Sequence, residues 1–383
     1  MVIQKHPVFI LSLFDTGYYA ARLLKKTGIP IYGFDHVRDN PGFYSKYITA
    51  TLVPHPQDDA DKLLEILLEK RSEFSLKPVL IAASENYLEF ILSKWAELQE
   101  NFLFLLPDKE TLGRIISKSS QLDMARQCEL SVPAFRTVSH TEELEHACDV
   151  VEYPVVVKGI DQPLWKRKIR KKAFIAKNKS ELLQIGENLL KQNVSFVVQK
   201  IVGGDCRNNY EFNALVVNGK IIERNLNQKL RQYPLDFGSA CCLRTAKNDQ
   251  VEQLATKFLL QNEIEGFSNT EFKFDEETGK YFFIETNARV WQQIELTKKR
   301  GQNFVSAYYD HLTNSDNPSR TGSCTPTARW VDLPTDLLVF LRYRRQINLS
   351  LLQFIKSLLT ASNLGLFSIS DIKPFLKAVH LIK

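Results

Sequence analysis

At 383 residues the chain is long enough for two or three domains. With 44% hydrophobic and 25% charged residues it reads as a globular protein able to bury a large core, which excludes a disordered or fibrous chain. A net charge of +6 admits anionic ligands such as nucleotides without demanding nucleic acid. The six cysteines, Cys128, Cys148, Cys206, Cys241, Cys242 and Cys324, show neither CxxC nor metal-ligand spacing, so reduced thiols and a cytoplasmic setting are expected.

Pro7–Phe14 could pass for the apolar part of a signal peptide. However, Asp15 and a helical pattern follow it rather than a small-residue cleavage site, so it is taken as a buried first strand. No stretch approaches the ~18 apolar residues of a membrane span, and no membrane partner is expected. The first third then alternates strand and helix. Val8–Leu13, Ile31–Phe34, Val79–Ala83 and Phe102–Leu106 read as strands, and Tyr18–Thr27, Ala60–Lys70 and Leu88–Leu98 as helices. This order predicts an open, mostly parallel sheet. The turn after the first strand, Ser12–Gly17, lacks the GxGxxG pattern of a dinucleotide site.

Thr111–Glu129 reads as one helix, stopped at Val132-Pro133. Antiparallel signals follow. Val155–Lys158 and Ala173–Ala176 are expected to pair, with a helix over Ser180–Gln192 and a strand over Ser195–Ile201 that ends at Gly203-Gly204. Phe212–Val217 and Lys220–Glu223 flank Asn218-Gly219, a strong hairpin signal. Asp249–Gln261 reads as helix. Phe267–Asp275 and Lys280–Asn287 form a second hairpin around Thr278-Gly279. A Ser-, Asn-, Pro- and Thr-rich linker runs to Thr327, and Leu333–Lys383 looks helical and basic.

The segment Asn269–Arg289 carries the most chemistry. Strand alternation sets Phe272, Phe274, Phe282 and Ile284 on one face as core, and Glu271, Lys273, Phe283, Glu285 and Asn287 on the other. A turn centred on Thr278 puts Glu271 opposite Glu285. Facing carboxylates are unfavourable unless something compensates them. Two carboxylates and an amide oxygen are hard ligands suited to Mg²⁺, and Arg289 lies within reach of a phosphate oxygen. A solvated hairpin face with Lys273 pairing the acids is the competing reading.

Other segments are weaker alone. Lys158 ends the apolar run Val155–Val157 and either contacts phosphate or snorkels to solvent. Gln199–Asp205 is a strand leaving for a glycine-flexed turn, where backbone groups could read an adenine edge and Asp205 a ribose, or which could be a bare hinge. Trp165–Lys172 is a basic run, expected as a lid or solvated loop rather than a nucleic-acid surface. If Asn227–Gly238 is extended, Lys229 and Arg231 share a face and could hold a γ-phosphate or a substrate carboxylate.

Taken together, these segments resemble the ATP-grasp superfamily, closest to its carboxylate–amine ligases that include D-aspartate ligase-like proteins. The resemblance covers about residues 8–314: an α/β pre-domain, then Lys118 in SKSSQLDMARQCELSVP, YPVVVKG, VVQKIVGGD, QKLRQYPLDFG and FIETNARVW, in the expected order. It implies a multidomain α/β and α+β protein, with an N-terminal open parallel α/β pre-domain (1–110) and a two-lobed ATP-grasp fold with antiparallel sheets (111–314, mobile lobe about 133–200). A linker and a helical, basic C-terminal segment (315–383) complete the chain. By this resemblance Lys118 and Lys158 touch ATP phosphates, and Gln199, Lys200, Ile201 and Asp205 surround adenine and ribose. Glu271, Glu285 and Asn287 hold Mg²⁺, or Mn²⁺ in its place, while Lys229, Arg231 and Arg289 act on the reacting groups. Lys200 stands where relatives often carry Glu, and Ala288 replaces their usual Pro. The implied activity is ATP-dependent joining of a small-molecule carboxylate to an amine through an acyl phosphate, with a non-catalytic ATP-binding protein or a nucleic-acid binder as the alternatives.

Overall fold

The computed structural model describes residues 5–160, 162–169, 171–314 and 327–381. The first sheet contains four parallel strands, β1 (Val8–Leu11), β2 (Ile31–Asp35), β3 (Thr49–Leu52) and β4 (Val79–Ala82), in the order β3-β2-β1-β4. Strand β1 is buried along its whole length, which explains its uninterrupted apolar run. Phe102–Leu106 does not join as a fifth strand. It touches β4 through one bridge at Leu103. The Leu105 N–H then turns to the Tyr308 hydroxyl at 2.9 Å, and the chain peels away to pack beside Gly266. The run is apolar because it lies between layers, not because it pairs. The strand order instead takes in β3, an edge strand too polar to stand out in the sequence.

The second sheet has β5 (Phe135–Val138), β6 (Val155–Gly159), β7 (Phe174–Ala176) and β8 (Phe196–Lys200), in the order β5-β8-β6-β7 and antiparallel. Helices Thr141–Val150 and Lys179–Lys191 cover it, giving this lobe a core of its own from Val138 to Val198. The basic run is a helix, Gln162–Ile169, rather than a loop. Trp165 anchors it. Its ring is buried against Gly159, where a Cβ would come within 2.6 Å of the Trp165 Cβ, and its indole N–H donates to the Lys171 carbonyl. Asp161 and Arg170 of that run lie outside the described residues.

The third sheet is the largest: β9 (Asn209–Val217), β10 (Lys220–Tyr233), β11 (Ser239–Thr245), β12 (Gly266–Asp275), β13 (Lys280–Asn287) and β14 (Arg329–Val331), ordered β13-β12-β9-β10-β11-β14. Asn218 and Gly219 take the left-handed backbone that a tight hairpin needs, at φ 51° and 69°. Helix Asp249–Gln261 packs Val251, Ala255, Phe258 and Leu259 against one face, where Phe212, Phe272 and Phe283 complete the core. Strand β10 runs ten residues further than the Lys220–Glu223 stretch legible in the sequence. The linker before Thr327 lies outside the described residues. Beyond it stand helices Leu333–Tyr343, Leu351–Leu359 and Lys373–Leu381.

Candidate active site

Neighbouring strands of the large sheet bring like residues into lanes. In one lane Glu285 of β13, Glu271 of β12, Glu211 of β9 and Asn227 of β10 stand side by side. In the next lane Asn287, Asn269, Asn213 and Asn225 do the same. Within the asparagine lane Asn269 Nδ2 donates to Asn213 Oδ1 at 2.8 Å, and Asn225 Nδ2 crosses to Asn227 Oδ1 of the first lane at 2.7 Å. Glu271 faces Glu285, although the turn pairs Asp275 with Lys280 and its register alone would set Glu271 opposite Ile284. The residues behind them differ from simple alternation. A bulge between Glu271 and Phe272 on one side and Glu285 and Phe283 on the other makes Phe283, not Phe282 or Ile284, the partner of Phe272. Phe272 and Phe283 are fully buried, whereas Phe282 and Ile284 are only half-buried. The extra residue, Ile284, reverses the phase of the strand.

Glu211 was not legible as a site residue, because only the third strand pairing brings it beside Glu271. A period-2 polar pattern on both arms of the Asn-Gly hairpin (Glu211 and Asn213; Asn225, Asn227 and Lys229) is the signal that could have found it. Its Oε2 is buried with no hydrogen-bond partner, as is Asn227 Nδ2. Burial, with the charge of Glu271 next to it, raises the Glu211 carboxyl to about 7.

Four lysines answer the carboxylates. The expected single helix Thr111–Glu129 is two, Lys109–Ile116 and Lys118–Gln127. The break falls at Ser117, whose extended backbone and side chain cap the second helix at Ser120 N–H. The break turns Lys118 into the cleft, where its ammonium meets Glu285 at 2.6 Å. Lys158, at the end of β6, donates to Gln199 Oε1 at 3.2 Å and lies over the Phe237 ring. Burial lowers its pKa to about 8, with Lys118 and Lys172 adding to the effect and Glu285 opposing it. Lys229 on β10 is buried and 3.7 Å from Glu271. Burial pulls its pKa down, but Glu271, Glu211 and Glu285 overcome this and hold it above the ordinary lysine value. Lys172, read in the sequence only as part of the basic run, sits in the field of Glu285, Lys229, Glu271 and Lys118. For Glu285 burial acts upward, yet Lys118, Lys158 and Lys172 together keep its carboxyl well below the usual range.

The remaining expected residues divide. Gln199 is buried at the cleft through its bond to Lys158. Ile201 is half-buried just past β8, where the chain leaves for Gly203. The Lys200 side chain alternates outward and pairs with Glu152. Asp205 is exposed, caps the short turn after the glycines and forks onto its neighbour Arg207. Arg289 donates through Nε to Glu85 at 3.0 Å, at the start of helix Glu85–Ser93 in the first sheet's layer. Nearby, Gln292 donates to Asp15 at 3.1 Å, so both contacts tie this loop to the first layer.

Arg231 does not share a face with Lys229. The pairing of β10 with β11 shifts between the two, and Leu230 is the extra residue. Arg231 instead donates to both oxygens of Asp336, at 2.6 and 2.7 Å, and to Ser357 Oγ at 2.9 Å, in the C-terminal helices.

Among the described residues no group of three or more His, Cys, Asp or Glu is arranged to hold a metal ion by itself. The donor set here is two carboxylates and an amide, Glu271, Glu285 and Asn287. This suits a hard cation that also takes oxygens from a phosphate and water.

A sequence profile of the ATP-binding domain of the carbamoyl-phosphate synthase L chain matches residues 213–305, which contain both hairpin acids and Asn287. A D-aspartate ligase from Enterococcus faecium is 26% identical over 329 residues, covering 80% of this chain and 76% of that protein. Its fold is that of the ATP-grasp ligases. The chain superposes on the L-amino acid ligase of Bacillus licheniformis with a TM-score of 0.64, at 15% identity, over 85% of this chain and 79% of the other. The biotin carboxylase domain of the Hydrogenobacter thermophilus 2-oxoglutarate carboxylase, solved with MgADP and bicarbonate, has a TM-score of 0.64 at 15% identity and covers 82% and 71% of the two chains. The parallel first sheet and the two antiparallel sheets are the architecture the chain shares with these structures.

Proposed function

We propose that this chain is an ATP-dependent carboxylate–amine ligase that uses Mg²⁺, with Mn²⁺ as a substitute. The observation that carries this reading is the lane Glu285–Glu271–Glu211 set against Lys118, Lys158, Lys172 and Lys229. Acids suited to a divalent cation and lysines suited to phosphate oxygens meet in one cleft. Glu271, Glu285 and Asn287 are the residues that would hold Mg²⁺, whose part is to neutralise phosphate charge.

The chemistry asks the protein for positioning and charge neutralisation rather than a nucleophile. A substrate carboxylate oxygen attacks the γ-phosphorus and ADP leaves. The amine nitrogen then attacks the acyl carbon, phosphate leaves and the amine gives up a proton. Lys118 and Lys158 take phosphate oxygens, which breaks the Lys118–Glu285 pair and frees that carboxylate for the metal. Lys229, held charged by three acids, faces the reacting carboxylate. Gln199, Ile201 and the backbone at Lys200 line the adenine end. The outward Lys200 side chain leaves that end unobstructed, which favours a competent nucleotide site. The lobe 133–200, with its own core, is the piece that closes.

The name of the Enterococcus relative makes D-aspartate the first acid to try. The test is phosphate release from MgATP over a matrix of acids and amines, with products weighed by mass spectrometry. Release that needs acid, amine and metal together, and that Glu285→Ala and Lys118→Ala abolish, supports the reading. Hydrolysis indifferent to every acid and amine would sink it.

A further inference from the structure

Helix Leu333–Tyr343 packs over the end of β10, and helix Leu351–Leu359 meets it through Phe354 and reaches Arg231 through Ser357. Their inward residues are engaged: Asp336 and Ser357 both hold Arg231, and Phe340 stacks on Phe354 with ring centroids 4.4 Å apart. Their outward residues are apolar. Leu352 and Leu359 are 80% and 82% exposed, Leu341 and Leu351 65% and 53%, and Leu337 and Ile355 43% and 41%. Six large aliphatic side chains left in water on two adjoining helices make a patch that a folded chain ordinarily covers.

The charge around the patch has one sign. Arg342 lies in the last turn of the first helix, Arg344 and Arg345 follow it, Lys356 sits on the second, and all four are exposed. Residues 337–370 contain no Asp or Glu, and the acids at either end, Asp336 and Asp371, are buried. A self-complementary contact between two copies would set this positive rim against its own image, which opposes pairing. No helix among the described residues is long and apolar enough to cross a membrane. Short amphipathic helices with leucines on one side and Arg or Lys at the rim instead lie in the plane of a bilayer surface.

We propose that this face docks on an anionic membrane, with the leucines entering the headgroup boundary and Arg342, Arg344, Arg345 and Lys356 meeting lipid phosphates.

The experiment is co-sedimentation of the full chain with vesicles of phosphatidylcholine containing about a third phosphatidylglycerol, against vesicles of phosphatidylcholine alone. The wild type is expected to sediment with the anionic vesicles and stay in the supernatant with the neutral ones. Leu352→Gln with Leu359→Gln, and separately Arg344→Glu with Arg345→Glu, should each weaken binding by more than about tenfold. All four side chains are exposed, so both variants should keep the wild-type melting midpoint and its rise with MgATP. That rise reads the nucleotide site independently, so loss of one function is distinguishable from loss of the other. The proposal is overturned if the wild type ignores anionic vesicles, or if neither variant changes sedimentation. A concentration-dependent dimer abolished by the leucine substitutions would overturn it too, because a second copy would then be what covers the face.

Discussion

Arg231→Ala separates a structural residue from a reacting one. The guanidinium makes three short hydrogen bonds, at 2.6, 2.7 and 2.9 Å, to a carboxylate with no solvent exposure and to a serine on the next helix. Removing one partner of such a pair leaves the other charge buried and unanswered, at a cost of about 3–5 kcal/mol. At roughly 1–2 °C per kcal/mol for a chain of 383 residues, the melting midpoint should fall by roughly 3–10 °C. Arg231→Met combined with Asp336→Leu should recover much of that loss, since both charges leave together and apolar groups fill the space. Below the lowered midpoint, the MgATP-dependent rise should survive in Arg231→Ala. The assay is thermal unfolding with and without MgATP, in both variants and the wild type. A variant that melts like the wild type but has lost its nucleotide response would refute the reasoning and return Arg231 to the reaction.

Other outcomes follow from the same cleft. MgATP should raise the wild-type midpoint, because a ligand confined to the folded state adds to stability. Glu285→Ala, or EDTA added to the wild type, should remove most of that rise in the same assay. Lys158, lowered to about 8, should be recharged by phosphate, so nucleotide binding at pH 8 should take up about half a proton, measurable by calorimetry in buffers of different ionisation enthalpy. The sign for the ligand-free protein runs the other way. Between about 8 and the ordinary lysine value the unfolded chain holds more protons, so this group makes stability climb with pH, and Lys158→Met should flatten that climb. Glu211, raised from 4.5 to about 7, keeps its proton when folded. Its contribution is therefore present below 4.5 and lost as pH rises through 7, and Glu211→Gln should narrow the difference between melting midpoints at pH 5 and pH 8.

Much of the cleft was legible one strand at a time. Counting from a turn centred on Thr278 put Glu271 opposite Glu285; the turn itself pairs Asp275 with Lys280, and the bulge at Ile284 supplies the one-residue shift that makes this pairing hold. The apolar run of β1, the Asn-Gly turn and the alternation of strand and helix in the first third were equally local, because each depends on side-chain period and turn chemistry within a few residues. What counting could not supply were insertions into that period. The bulges at Ile284 and Leu230 exchanged Phe282 for Phe283 in the core and carried Arg231 away from Lys229, and nothing in the local sequence marks either. The break at Ser117, which aims Lys118 at Glu285, hides in a segment that is helical on both sides.

The sequence by itself determined the residue types of the cleft, the order of its motifs and the hairpin that carries its two central acids, since these rest on local geometry. Only the tertiary structure decided that Glu211 joins them, that Lys172 enters from the bend before β7 in the smaller lobe, that Arg289 meets Glu85 across the layers and that Arg231 belongs to the C-terminal helices. Those choices depend on which distant strand or helix lies alongside, and a long-range neighbour leaves no period in the chain that it approaches.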